Sequence, residues 1–122
     1  MSRILLALTL LSAASAAKAE IVDIRWSGDG RFQHSTSVPA GKFLEVCGKL
    51  AAGLQVRWQF ESAARVDFNV HYHQGKEVMY PVKLSAVPNA RDTLDVGIAQ
   101  DYCWMWSNKS AVATTLTLSL QR

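Results

Sequence analysis

Between Leu54 and Tyr72 the chain alternates apolar and polar residues in two runs. Leu54, Val56, Trp58 and Phe60 are interleaved with Gln55, Arg57, Gln59 and Glu61. After a short connector, Val66, Phe68, Val70 and Tyr72 are interleaved with Asp67, Asn69, His71 and His73. Side chains of a strand leave opposite faces with period two, so each run predicts a strand with one buried and one wet face. These two runs predict two core strands of an all-β domain.

The N-terminus reads differently. Arg3, the apolar run Ile4–Leu11 and the small-residue end Ala17-Lys18-Ala19 have the layout of a secretory signal peptide, with cleavage expected after Ala19. The apolar run is too short to span a bilayer. No cysteine sits just beyond the cleavage point, so a lipid-anchored form is not expected, and no later segment reaches membrane-spanning length. The expected product, residues 20–122, is soluble and exported, periplasmic or secreted. The formal net charge is +3. Removing Arg3 and Lys18 from the 13 basic residues leaves 11 against 10 acidic ones, a net charge of +1. Neither a nucleic-acid partner nor a charged membrane surface is implied.

Two cysteines, Cys47 and Cys103, remain in the exported part. An even count in an oxidising compartment favours a disulfide over a reactive thiol. Two free thiols or a metal site are the alternatives. Bridging residues this far apart in sequence would contribute about 4 kcal/mol in the chain-entropy account.

Several of the remaining segments follow the same two-residue period. Strands are expected at Ile21–Trp26, Arg31–Val38 (an edge strand, being polar), Lys42–Leu50, Lys76–Lys83, Thr93–Ile98, Tyr102–Trp106 and Ala111–Leu120. Turns are expected at Gly28-Asp29-Gly30, Pro39-Ala40-Gly41, Ala51–Gly53, Gln74-Gly75 and Ser107–Ser110. Leu84–Asp92, with Pro88-Asn89 and no period, reads as a loop. About eight short strands and no helix beyond the signal peptide predict one antiparallel β-sandwich of immunoglobulin-like or jelly-roll type.

The order of several pieces resembles a known family. Cys47 is followed by Val56-Arg57-Trp58-Gln59-Phe60, then Val66-Asp67-Phe68-Asn69-Val70, then Tyr102-Cys103-Trp104 with Asn108 and Ser110. Across Lys42–Arg122 this resembles the GOLD (Golgi-dynamics) domain, as in the lumenal part of vesicular cargo receptors. The resemblance implies a β-sandwich binding module with Cys47 bonded to Cys103. The cargo receptors continue into a coiled coil, a membrane span and a tail, whereas the expectation here is a stand-alone exported version in a bacterial setting. Gln100 replaces the family's glycine two positions before the late tyrosine, and cargo sorting is not carried over.

Candidate chemistry is sparse. His71 and His73, at i and i+2 on one strand, send both imidazoles from the same face and could hold copper or zinc. His34, Asp67, Met79 and Met105 are possible additional ligands, against the alternative that the face is simply solvated. Cys103 with Met105 suggests copper(I), provided the thiol is free. Trp104 and Trp106 share a face opposite Cys103 and Met105 and, if exposed, would form an aromatic binding surface. Asn108-Lys109-Ser110 fits a glycosylation acceptor. No nucleophile elbow, phosphate loop or zinc-protease motif occurs, the carboxylates are scattered singly, and His34-Ser35 reads as a chance pair. The expected function is therefore a non-catalytic module, not an enzyme, that needs no cofactor and recognises a protein or small ligand of the cell envelope. Recognition would use a sheet face or the segments Glu61–Arg65 and Leu84–Asp92. The alternative is a small copper- or zinc-binding protein using His71 and His73.

Overall fold

The computed structural model describes residues 20–122; the expected signal peptide and its cleavage point lie outside the described residues. Seven strands make up the described chain: β1 (Glu20–Asp23), β2 (Arg31–Val38), β3 (Phe43–Leu50), β4 (Gln55–Gln74), β5 (Glu77–Asp95), β6 (Gln100–Ser107) and β7 (Thr114–Gln121). They hydrogen-bond in the order β1-β3-β6-β4-β7-β2, with β5 along the other edge of β4. Neighbours run antiparallel except β1, which lies parallel to β3.

The expected all-β class holds, but the centre is simpler than the sequence suggests. The two alternating runs are not two strands joined by a connector. They are one 20-residue strand, β4. Its first part, Arg57–Ser62, pairs with β7, and its second part, Asp67–His71, pairs with β6. Strand β5 accompanies both parts. The β4–β5 ribbon thus belongs to two sheet portions, β2-β7-β4-β5 and β1-β3-β6-β4-β5, which fold towards each other around the core.

The corner lies where the ladder shifts register, between Glu61 and Val66. Such bulges bend a strand and strengthen its twist. Ser62 and Ala64 keep the inward phase of Phe60 and Val66 with small side chains. Buried Thr114 holds the corner through its Oγ1, 3.1 Å from Ser62 Oγ and accepting the Ala64 N–H at 3.0 Å. On β5, Ala86 takes a positive φ of 51°. Its N–H donates to Asp67 Oδ1 (2.9 Å) and its carbonyl accepts from Arg65 Nη1 (3.0 Å). The segments Glu61–Arg65 and Leu84–Asp92, expected as loops, are therefore paired parts of β4 and β5. Two shifts of register hide the period there.

The core lies between the two portions. Trp58 and Phe60 from one meet Phe68 and Trp106 from the other, with ring centroids 4.8 Å apart for Trp58–Phe68, 4.7 Å for Phe60–Phe68 and 5.7 Å for Phe60–Trp106. Trp104 and Trp106 are 0% and 1% exposed. The aromatic binding surface expected of them is not there. Their face points into the core, and the face of Cys103 and Met105 looks outward. Val46, Val56, Val70, Leu116, Leu118 and Leu120 complete the interior.

The turns fall where the breakers stand. At Gly28-Asp29-Gly30 only Gly30 needs positive φ (75°), and a Cβ there would come within 2.8 Å of the Arg122 carbonyl oxygen. The first strand stops at Asp23 rather than Trp26, although the Ile24 N–H still bonds the Cys47 carbonyl at 2.8 Å. Asn108 is buried rather than free to carry a glycan. Its Nδ2 donates to the carbonyls of Val38 (3.0 Å) and Val112 (2.8 Å), and its Oδ1 accepts from Ser110 N (3.0 Å) and Ser110 Oγ (2.7 Å).

Candidate functional site

The outward face of β3, β6 and β4 gathers most of the residues with chemical potential. Alternation on three adjacent strands sets two cross-strand rows. Cys47, Cys103 and His71 form one; Glu45, Met105 and Asn69 form the next. Cys47 and Cys103 stand opposite each other with Cα atoms 4.1 Å apart and are disulfide-bonded. The bridge therefore links adjacent strands of one sheet.

His71 sits beside the bridge and is only 5% exposed, which is unusual for a face that looks away from the core. The β4–β5 ribbon supplies its cover. The Tyr80 ring lies 6.0 Å from the imidazole and the His73 ring 5.5 Å, edge-on. Both ring nitrogens have partners: Nδ1 is 2.7 Å from Asn69 Oδ1 and Nε2 is 3.2 Å from Glu45 Oε1. Burial disfavours the imidazolium and lowers the pKa below its usual 6.5; the Glu45 carboxylate opposes that shift and His73 adds to it. The neutral ring carries one N–H, which donates either from Nδ1 to Asn69 Oδ1 or from Nε2 to Glu45 Oε1, and the imidazolium donates to both. Asp67, further along the face, is held below the usual carboxylate range by Lys109 (Nζ 2.7 Å from Oδ2) and by the Ala86 N–H.

The structure sorts the other candidate ligands. Met105 shares the face of His71. His73 is exposed and stands across from Val78 on the ribbon, whereas Met79 pairs with Tyr72. His34 is distant in the sheet order, stacked on Phe32 on β2 with β7 between that strand and β4. Glu45 and Asn69 were missed as partners of His71. The signal for Glu45 was its phase with Cys47, two residues on, but strand pairing is what brings it to His71. Among the described residues, Glu45, His71 and Cys103 are the one group of three or more His, Cys, Asp or Glu whose donor atoms all lie within 4.8 Å of one another.

Beyond His71 the ribbon leaves β6 behind, because the last β4–β6 pair is His71 with Cys103. Its free end carries the exposed apolar residues Val78 (37%), Met79 (37%) and Tyr80 (47%). Lys83 Nζ stands 4.9 Å from the Tyr80 ring centroid, a cation–π distance. The outer face of β2-β7-β4-β5 is different. Its rows Ser35-Thr117-Glu61-Asn89 and Gln33-Ser119-Gln59-Arg91 are wholly polar and line an open groove of about 630 Å³.

No family model matches the chain, and no curated protein does. Its structure is similar to that of PliG from Aeromonas hydrophila, a periplasmic lysozyme inhibitor of g-type lysozyme. Identity is 16%, over 87% of this chain and 100% of that one, with a TM-score of 0.56. The PliG of Salmonella Typhimurium matches at 9% identity over 85% of this chain and 98% of its own, TM-score 0.57. The pre-peptidase C-terminal domain of Bacillus anthracis collagenase matches at 11%, over 87% and 97%, TM-score 0.55. At these identities the likeness is one of fold, and it places this chain among small β-sandwich-like domains.

Proposed function

We propose that this chain is an exported, non-catalytic binding module of the cell envelope that captures a protein partner with the free end of its β4–β5 ribbon. One observation carries the reading: Val78, Met79 and Tyr80 are exposed together on a segment paired on one side only. Tyr80 and Met79 are of the residue types enriched at interface centres. The bonded Cys47–Cys103 pair and the fold shared with periplasmic inhibitors support an oxidising, exported setting. The GOLD-like order of motifs belongs to the same reading, since it also implies a binding sandwich. PliG proteins inhibit g-type lysozyme, so that enzyme is the first partner to test. Calorimetry of the oxidised chain against g-type lysozyme should give saturable binding that Tyr80→Ala and Val78→Asp each weaken about 10-fold or more. Equal binding by wild type and both variants would remove the ribbon from the account.

The second reading is copper or zinc binding by His71 and His73, favoured by their neighbouring rings. Such a chelate requires His71 to give up Asn69 or Glu45. Titrating copper and zinc into the oxidised chain, with His71→Ala/His73→Ala alongside, tests it. Tight binding lost in the double variant supports the chelate, and equal behaviour removes it.

A further inference from the structure

The disulfide, His71 and Glu45 occupy one patch, and the two readings above leave their juxtaposition unused. We infer that reduction of Cys47–Cys103 converts this patch into a zinc site with Cys47 Sγ, Cys103 Sγ, His71 Nε2 and a Glu45 carboxylate oxygen as donors. The inference goes beyond the proposed function, which depends on the ribbon tip and on no thiol.

The geometry argues for it step by step. Strand pairing sets the two cysteines directly opposite each other, with Cα atoms 4.1 Å apart, and sets His71 opposite Cys103 on the next strand. The donor atoms of Cys103, His71 and Glu45 already lie within 4.8 Å of one another, and Cys47 Sγ is bonded to Cys103 Sγ. Zinc–donor distances are about 2.0–2.3 Å, so donors around one ion stand within roughly 4 Å of each other. Side-chain movement closes that gap for these three, and Cys47 Sγ, outside the 4.8 Å group, must swing in once its bond to Cys103 is broken. Two sulfurs, one nitrogen and one oxygen are a donor set suited to four-coordinate zinc.

The surroundings fit as well. A ligating histidine usually donates its second ring N–H to a fixed acceptor, which aims the other nitrogen at the metal. Here Asn69 Oδ1, 2.7 Å from Nδ1, is that acceptor, and Nε2 points to Glu45 at 3.2 Å. Tyr80 covers the ring from the ribbon while Cys47, Cys103 and Glu45 keep partial exposure, so an ion can reach the donors.

The chemistry balances with a dithiol as reductant. Two electrons and two protons pass from the dithiol to the bridge, giving two protein thiols and a disulfide in the reductant. Zinc then replaces the two thiol protons, which go to solvent, and binds two thiolates. In the reverse exchange an external disulfide takes two electrons from the two thiolates and two protons from solvent to become a dithiol, and the re-formed Cys47–Cys103 bridge releases the ion. The patch therefore exists in two exclusive states, bridged without zinc or reduced with zinc.

Cobalt(II) is the probe, because thiolate ligation gives a charge-transfer band and tetrahedral geometry gives intense visible bands. The whole exported chain, reduced with a phosphine under anaerobic conditions, is titrated with cobalt and then displaced with zinc. Expected are one cobalt per chain, both thiols shielded from alkylation, and no such bands in the oxidised chain. Cys47→Ser/Cys103→Ser should abolish the bands. Asn69→Ala, which keeps every ligand, should weaken zinc binding about 10- to 100-fold. His71→Ala and Glu45→Gln should each alter the visible bands and weaken binding. Circular dichroism follows the fold throughout; a reduced chain that unfolds and is refolded by zinc also supports the site. Absence of thiolate bands, bands indifferent to His71→Ala and Glu45→Gln, or a reduced chain that zinc does not refold would overturn the inference.

Discussion

Phe60 on β4 and Trp106 on β6 meet edge to face with ring centroids 5.7 Å apart, and between them they join the two portions of the sheet. Both are fully buried, and Phe68 touches each of them, at 4.7 Å and 5.3 Å. Trp106→Ala should therefore cost about 3–5 kcal/mol. That is a large part of the stability of a domain of this size. Urea unfolding monitored by circular dichroism measures the loss. A cost near zero would show that Trp106 does not join the two portions.

The Cys47–Cys103 bridge closes a long loop within one sheet. Cys47→Ser/Cys103→Ser should lower stability by about 4 kcal/mol if the unfolded chain gains the full loop entropy. Comparing oxidised wild type with the double variant in urea gives the value directly. A difference under about 1 kcal/mol would assign the bridge another role than stapling.

Asn108 connects the ends of β2 and β6 to the start of β7 through one buried amide. Asn108→Ala takes the amide donor from the Val38 carbonyl and leaves the Val112 carbonyl with Ser110 Oγ alone, and should cost about 1–3 kcal/mol. Asn108→Asp should do no better, because it removes the same N–H groups. Each kcal/mol lowers Tm by about 4–8 °C for a domain of this length, so a thermal melt suffices. An unchanged Tm in both variants would refute the role.

His71 makes stability depend on pH. Its folded pKa lies below the usual 6.5, with burial the largest cause, so the folded state binds fewer protons than the unfolded one in the window beneath that value. The contribution is present above about pH 6.5 and is lost as pH falls through the lower folded pKa. The slope from this one group is at most about 1.4 kcal/mol per pH unit. Urea midpoints measured across the window should fall with pH in wild type and fall less in His71→Gln. Identical slopes would contradict the assignment. Proton resonances of the His71 ring, titrated in parallel, should show a midpoint under 6.5.

Much of the sheet could be read from the period of the side chains. Arg31–Val38, the strand around Cys47, Tyr102–Trp106 and the Gly75 turn lie where alternation and breakers put them. The corner of β4 and β5 could not be read the same way. Ser62 and Ala64 keep the inward phase but carry too little apolar surface to register as a pattern, and the shifts around Val87 and Ala86 break the phase of β5 outright. The orientation of Trp104 and Trp106 was equally hidden, because Cys103 and Met105 on the other face are also apolar. The phase relation itself was legible; which face turned inward depended on Phe60 and Phe68 from the bent strand. Glu45 became a partner of His71 only through the β3-β6-β4 register, a tertiary fact, whereas Asn69, two residues before His71 on β4, is a same-face neighbour that the alternation itself marks.

The central claim is that partners dock on the free end of the β4–β5 ribbon, and one experiment addresses it directly. A photo-crosslinking side chain is placed at Tyr80 on that end, and in a second variant at Ser119 in the polar groove of the opposite portion. Both chains are irradiated in the native envelope. A discrete protein adduct is expected from position 80 and none from position 119. An adduct from position 119 with none from position 80 would contradict the claim and move the binding surface to the groove.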